Sequence, residues 1–283
     1  MRWTPARPHE RKLGVSGARL DFSFDARVAT QYDALRGHPA HVSGEIGRAI
    51  AAVVGPGARV LELGVGTGRI ALPLAGAGCR VVGIDLSAQM LAALSRQCSA
   101  DPTLQIELVR GSIAALPFQP ASFDAALAVH VLHLVADWQQ TLDRMLNVVR
   151  AGGCIVLGRD WVDPTSMAGQ IRMAFRHGVM DLGYNTAAPA AGRALDEALC
   201  ARGAEPLHAG ALELIASEWH AELSPADVLE GIRSREDAES WVLPDEILEP
   251  VCRTLENFSA HQWPVRDARQ TVLRRFLMAV YRT

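Results

Sequence analysis

The sequence predicts an α/β fold: a doubly wound, mostly parallel sheet with helices on both faces. Three observations carry that expectation. Apolar runs of strand length alternate with helical patterns between Ala58 and Asp160, a glycine-rich turn follows the first run directly, and the chain has an ordinary globular make-up. Its 283 residues are 49% hydrophobic and 21% charged, too apolar for a disordered chain and without the period of a collagen. At ~100–200 residues per domain, that length allows one large domain or one domain with an appendage.

The elements follow in order. Residues 1–20 mix Pro, Gly, Arg and Ser without a period and read as a loose arm, whereas Phe22 to Arg36 spaces its apolar residues as an amphipathic helix does. A second helix, Gly44 to Val54, is stopped by Gly55-Pro56-Gly57. Ala58 to Gly64 reads as a buried strand, followed by a glycine loop and a helix from Arg69 to Ala77. Arg80 to Ser87 is the next strand, and Ser87 is placed to cap the helix Ala88 to Gln97. Ile106 to Ser112 and Phe123 to His130 are the third and fourth strands. Asp137, with Gln140 three residues on, marks a capping box for a helix from Trp138 to Arg150. Gly152-Gly153 ends that helix, and Cys154 to Asp160 is the fifth strand.

Beyond Asp160 the alternation weakens. Trp161 to Tyr184 reads as helix with loops, Ala190 to Arg202 as a helix ended by Gly203, and Leu212 to Leu223 as a long strand. Helices Pro225 to Arg235 and Asp245 to His261 precede a final strand, Thr271 to Tyr281. The organisation expected is a single domain over 21–283, with N-terminal helices at 22–54 and cap insertions at about 161–185 and 224–262.

A formal charge of −3 gives no electrostatic case for general binding to nucleic acid or an anionic membrane, which usually need a basic face, so, local basic patches aside, neither partner is expected. The five cysteines are widely spaced and never paired as CxxC, which fits free thiols in a reducing compartment. Met1 to Lys12 is polar, and no run approaches eighteen apolar residues, so a cytoplasmic location is expected. Neither charge nor cysteine spacing fixes an oligomeric state.

The most informative stretch is Glu62-Leu63-Gly64-Val65-Gly66-Thr67-Gly68-Arg69. Glycines at alternate positions let the backbone turn sharply and let a ligand lie against it. The helix that follows offers free N–H groups to a negatively charged ligand group. A dinucleotide fingerprint needs its third glycine where Arg69 stands, and Glu62 would repel a pyrophosphate while attracting an ammonium. Asp85, closing the second strand, is placed to accept hydrogen bonds from both hydroxyls of a ribose. A helix N-cap or turn role is the plainer reading of the same residue.

These residues resemble the class I S-adenosylmethionine-dependent methyltransferases from about Phe22 to Asp160, with a weaker echo to the C-terminus. The resemblance implies a seven-stranded Rossmann-like sheet, S-adenosylmethionine as cofactor and a small-molecule methyl acceptor as substrate. It implies that Glu62 holds the cofactor's amino group, that Gly64, Gly66 and Gly68 face its methionine part, and that Asp85 takes the ribose. Leu86 and Met90 match adenine-packing positions. Where the family often has Gly-Asp at the end of the third strand, this chain has Gly111-Ser112, so Ser112, with Ile113 beside it, stands at the adenine without a charge. Tyr32, in the helix ahead of the sheet, matches a residue that closes the cofactor site; a core aromatic would show the same spacing.

His130 and His133 follow the fourth strand, at the lip where the resemblance puts the acceptor, and His130 is also a cofactor-site candidate. Either can serve as a general base or orient the acceptor, and both can equally be polar residues satisfied by backbone at a strand end. No third ligand with metal-site spacing accompanies them, so no metal is expected. Trp138, Trp161 and Asp160 are candidates for the pocket rim, and Arg159 and Arg172 for an acidic acceptor. The alternatives are a non-catalytic S-adenosylmethionine-binding regulator and, disfavoured by Glu62 and Arg69, a nicotinamide-dependent oxidoreductase.

Overall fold

In the computed structural model the described residues are 37–184, 192–208, 213–236, 238–241 and 243–283. The expected arm at 1–20, the helix at 22–36 and Tyr32 lie outside them. The chain divides into two compact units. The described residues of the larger fall within 37–161, 192–219 and 274–283, and those of the smaller within 162–184 and 220–273.

The larger unit alternates strand and helix. After α1 (Ala40–Val54) come β1 (Arg59–Leu63), α2 (Ala71–Gly76), β2 (Arg80–Asp85), α3 (Ala88–Ala100), β3 (Ile106–Arg110), β4 (Phe123–Val129), α4 (Trp138–Val148) and β5 (Val149–Val162). α6 (Arg193–Cys200), the two-residue β6 (Glu205–Pro206) and β7 (Leu214–Leu223) follow, and β8 (Gln270–Arg282) ends the chain. The sheet order is β3-β2-β1-β4-β5-β8-β6, with β7 also paired to β8. β1 to β5 pair in parallel, and β6 pairs antiparallel with β8. The described residues thus carry eight strands where seven were expected, the extra one being a two-residue edge too short to leave a pattern in the sequence.

Each face of the sheet has its own apolar layer, as a parallel sheet needs. Val60, Val81, Leu127 and Val156 point to one side with Ile46, Ile50 and Leu74. Leu61, Leu63, Val82, Ile84 and Ala126 point to the other with Leu142 and Met145. Side chains such as Leu61, Leu127 and Phe123 are fully buried, at ~1.5–3 kcal/mol each.

Helix starts follow the caps read from the sequence. Met90 N donates to Ser87 Oγ at 3.2 Å, and Gln140 N to Asp137 Oδ1 at 2.9 Å. The end of α4 differs from expectation: the helix stops at Val148, and β5 starts at Val149, before the glycines. Asp124 explains the early start. Its carboxylate accepts from Arg59 N at 2.7 Å and from Arg150 Nε at 2.8 Å, pinning the chain to the sheet ahead of Gly152. The register with β4 then shifts between Phe123 and Ala125. β5 also runs on through Trp161, read as the start of a helical segment, whose ring lies 4.9 Å from the Arg275 guanidinium.

α1 and α2 meet at Gly47, where an added Cβ would stand 2.3 Å from the Pro73 carbonyl oxygen. Gly47→Ala is expected to cost about 1–3 kcal/mol, seen as a lower urea midpoint at an unchanged m-value.

The smaller unit holds α5 (Met167–Asp181), α7 (Pro225–Arg233), the short α8 (Ala238–Trp241) and α9 (Asp245–Gln262). α5, α7 and α9 bury Ile171, Phe175, Leu229, Ile232, Val251 and Leu255 against one another. α7 opens on a full capping box, Ser224 with Asp227. Among the described residues no helix is long and apolar enough to cross a membrane.

Candidate functional site

The loop after β1 is built by its neighbours. Gly64 N and Val65 N both donate to the Ile84 carbonyl, at 2.8 and 3.1 Å, fastening the loop to the end of β2. Gly64, Gly66 and Gly68 take φ of 65°, 55° and 91°, a region open mainly to glycine. Two of them also lack room for a side chain. A Cβ on Gly64 would lie 2.5 Å from Val131 Cγ2, and one on Gly68 2.3 Å from Leu94 Cδ1. Among the described residues, a Cβ on Gly66 would meet nothing closer than the Gly64 carbonyl oxygen at 4.0 Å, so this face is the one a ligand can approach.

Asp85 is set by backbone. Its Oδ2 accepts from Gly66 N at 2.9 Å and its Oδ1 from Ser87 N at 2.8 Å. Each oxygen keeps a further lone pair, so the carboxylate can accept from two adjacent hydroxyls while still bracing the loop. Beyond it Leu86 is 67% exposed, while Met90 is buried. Past β3, Ser112 Oγ accepts from Ala114 N at 3.2 Å, and Ile113 is buried.

Glu62 sits on β1 between Gly83 of β2 and Leu127 of β4. Its side chain is buried, and among the described residues Oε2 has no hydrogen-bond partner. Burial pushes its pKa up to about 8 from the usual 4.5; the Arg69 charge opposes this and the Asp85 charge adds to it. A buried carboxyl with an open oxygen behind a glycine loop can receive a ligand cation.

A second cluster gathers at the ends of β4 and β5. Arg69 Nη1 lies 2.8 Å from Asp160 Oδ2, and His38 Nε2 lies 2.7 Å from Asp160 Oδ1 and 3.1 Å from Arg69 Nη1. His130, at φ 50°, accepts from Asp160 N at its Nε2 (2.9 Å) and stands 3.1 Å from Asp160 Oδ2. One imidazole nitrogen cannot accept from the amide and donate to the carboxylate in the same protonation state, so the two contacts are alternatives. Burial would raise the Asp160 pKa, but the Arg69 charge and the hydrogen bonds from His130 and His38 outweigh it, holding the carboxyl well below its usual range. The His38 ring is boxed edge-on by Trp219 and Phe276, at 5.5 and 5.8 Å between centroids.

Glu62, the three glycines and Asp85 are thus brought together, with Leu86, Ser112 and Ile113 just past the adjoining strand ends and Met90 in the first turn of α3. His130 is drawn to Asp160, and His133 lies in a 3₁₀ turn, Leu132–Leu134. Arg159, read as a candidate for an acidic acceptor, is already matched in charge: its guanidinium makes two 2.6 Å contacts with Glu213. Trp138 packs on the second apolar layer. His38 carries no signal in the sequence, and Arg69 shows there only as the residue that replaces a dinucleotide loop's third glycine.

Residues 61–157 match the family described as "Methyltransferase domain". The segment is an S-adenosylmethionine-dependent methyltransferase domain. It spans the glycine loop, Asp85 and β4, and its cofactor is S-adenosylmethionine.

Curated relatives match over the same part of the chain. An uncharacterized protein of Mycobacterium tuberculosis is 34% identical over 105 residues, 37% of this chain and 38% of that one. A demethylmenaquinone methyltransferase of Clavibacter sepedonicus is 37% identical over 110 residues, 39% of this chain and 43% of that one. The chain therefore spans less than half the length of these relatives. Among solved structures, a phosphoethanolamine N-methyltransferase of Haemonchus contortus in complex with S-adenosyl-L-methionine matches 94% of this chain and 60% of its own, at TM-score 0.52 and 19% identity. The [4+2]-cyclase SpnF matches 88% of this chain and 84% of its own, at TM-score 0.52 and 16% identity. At these identities the methyltransferase domain shares the fold with both.

Proposed function

We propose that the whole protein transfers a methyl group from S-adenosylmethionine to a small-molecule acceptor. The observation that carries this reading is Glu62: a buried carboxyl with one oxygen unpartnered among the described residues, directly behind three left-handed glycines and one strand from Asp85. That donor set fits a ligand bearing an ammonium and a ribose. Toward a pyrophosphate the same carboxyl offers no cation and, once ionised, a like charge.

In this reading Glu62 takes the ammonium, Gly66 offers its open face to the methionine part, and Asp85 takes the ribose hydroxyls. Leu86, Met90, Ser112 and Ile113 flank the adenine, and Tyr32 closes the site. Bound there, S-adenosylmethionine supplies an electrophilic methyl on a sulfonium. The protein's share is to exclude water and to align the acceptor, worth ~7–11 kcal/mol of barrier when the geometry is right. His130, fixed against Asp160, orients an acceptor group or takes its proton, with His133 as the second candidate. Several relatives are named demethylmenaquinone methyltransferase, which supports a small organic acceptor as the class. Segments 161–185 and 224–262, outside the family match at 61–157, are proposed to supply acceptor choice within one domain.

A thermal-shift series tests the reading. S-adenosylhomocysteine is expected to raise the melting temperature while NAD and NADP leave it unchanged, and Asp85→Ala is expected to abolish the shift. Stabilisation by NAD would reverse the assignment. Transfer of labelled methyl from S-adenosylmethionine into a metabolite extract separates an enzyme from a silent binder, a distinction the fold alone does not make.

A further inference from the structure

We infer that His38 is a catalytic residue: Asp160 fixes its ring so that Nδ1 presents a lone pair, and this nitrogen takes the proton of a methyl acceptor that carries a hydroxyl or N–H group. The inference rests on the proposed transfer reading and names the acceptor chemistry for that site.

The groups involved all belong to the larger unit. His38, two residues ahead of α1, reaches Asp160 on β5, while Trp219 of β7 and Phe276 of β8 meet its ring edge-on. Only one ring nitrogen meets the charged groups. Nε2 lies 2.7 Å from Asp160 Oδ1 and 3.1 Å from Arg69 Nη1. A guanidinium only donates and an ionised carboxylate only accepts, so Nε2 cannot serve both at once. The Asp160 carboxyl is held well below its usual range and is ionised at neutral pH. A bare Nε2 would set its lone pair against that charge at 2.7 Å, so Nε2 carries the hydrogen and donates it to Asp160. In the neutral ring the lone pair then falls to Nδ1. The His38 side chain is 3% exposed, and Nδ1 is buried with no hydrogen-bond partner among the described residues. A buried acceptor without a donor is costly, and it calls for a donor that the described residues do not supply.

The surroundings suit a base. His130, just past β4, stands on the same Asp160 carboxylate with its Nε2 engaged, which leaves it the orienting part. Once the acceptor is bound, its heteroatom forms the bond to the methyl carbon, the methyl–sulfur bond breaks with its electron pair passing to sulfur, and the acceptor's hydrogen goes to Nδ1. The positive charge that the ring gains faces Asp160, which holds the imidazole in place as the carboxylate of an acid–histidine pair does. The proton then passes to solvent. An acceptor without a hydroxyl or N–H hydrogen, such as a thioether or a tertiary amine, gives Nδ1 nothing to bond.

The test uses the full chain at pH 7. A proton–nitrogen correlation spectrum of the ligand-free protein, with the His38 ring assigned through its backbone, is expected to show Nε2 protonated and Nδ1 bare. His38→Gln is expected to slow the transfer of labelled methyl from S-adenosylmethionine into a metabolite extract by at least about a hundredfold, with S-adenosylhomocysteine affinity unchanged. A hydrogen on Nδ1 would overturn the inference, as would a His38→Gln protein that transfers as wild type or one whose affinity falls in step with its rate, the mark of a structural role. A labelled product that is a sulfonium, or a quaternary ammonium made from a tertiary amine, would overturn it too. Absence of any transfer by wild type would overturn the transfer reading, and the inference with it. Should His38→Gln fail to fold, His38→Asn takes its place, with the wild-type ring still read directly.

Discussion

Asp160→Ala is expected to destabilise the protein by about 3–5 kcal/mol at pH 7, the range for breaking one partner out of a buried ion pair. The substitution leaves the Arg69 guanidinium, 9% exposed, and His38, 3% exposed, facing a vacated site. It also takes the carboxylate contact from His130. The pH dependence has a definite sign. The Asp160 pKa is depressed in the folded protein, so its contribution is fully present above the usual aspartate value of 3.8 and is lost as pH falls through the lower folded value. Urea unfolding at pH 7 should therefore show the full gap between wild type and variant, and the gap should narrow in strong acid.

Glu62→Gln is expected to act in two opposite directions. In the ligand-free protein a carboxyl with a pKa of about 8 resists ionising while the unfolded chain ionises near 4.5. Stability is therefore lost as pH rises from 4.5 toward 8, by about 3 kcal/mol at pH 7 at roughly 1.4 kcal/mol per pH unit. A neutral glutamine removes that dependence. It keeps part of the gain at pH 7, since its buried amide needs partners of its own. Ligand binding should move the other way. Loss of a charge-assisted contact worth ~1.5–3 kcal/mol weakens S-adenosylhomocysteine binding by about tenfold to a hundredfold. Unfolding between pH 5 and 8 without ligand and titration with it give the two numbers. A variant that is less stable at pH 7 would contradict the burial argument, and one that binds as wild type would contradict the assigned role.

What could be read from the sequence was local. The glycine loop and Asp85 lie within one strand-loop-strand unit, where spacing is set by strand length and by the turn that only glycine makes easily. Ser87 and Asp137 were legible because an N-cap acts on a backbone amide three residues away. The second cluster was not legible. His38 and Arg69 meet Asp160 across 122 and 91 residues, and no period or motif links such positions. The start of β5 was missed because Gly152-Gly153 is a sound helix stop, whereas the residue that draws Val149 and Arg150 into the sheet is Asp124 on another strand. Trp161 was misplaced because polar Arg159 and Asp160 break the apolar run that marks the strand.

The measurement that tests the central claim most directly is calorimetric titration of the wild-type chain with S-adenosylhomocysteine and, separately, with NAD. The account predicts one S-adenosylhomocysteine site per chain, weakened in Glu62→Gln and lost in Asp85→Ala, and no heat of binding with NAD. Binding of NAD, or S-adenosylhomocysteine binding that neither substitution affects, would contradict it.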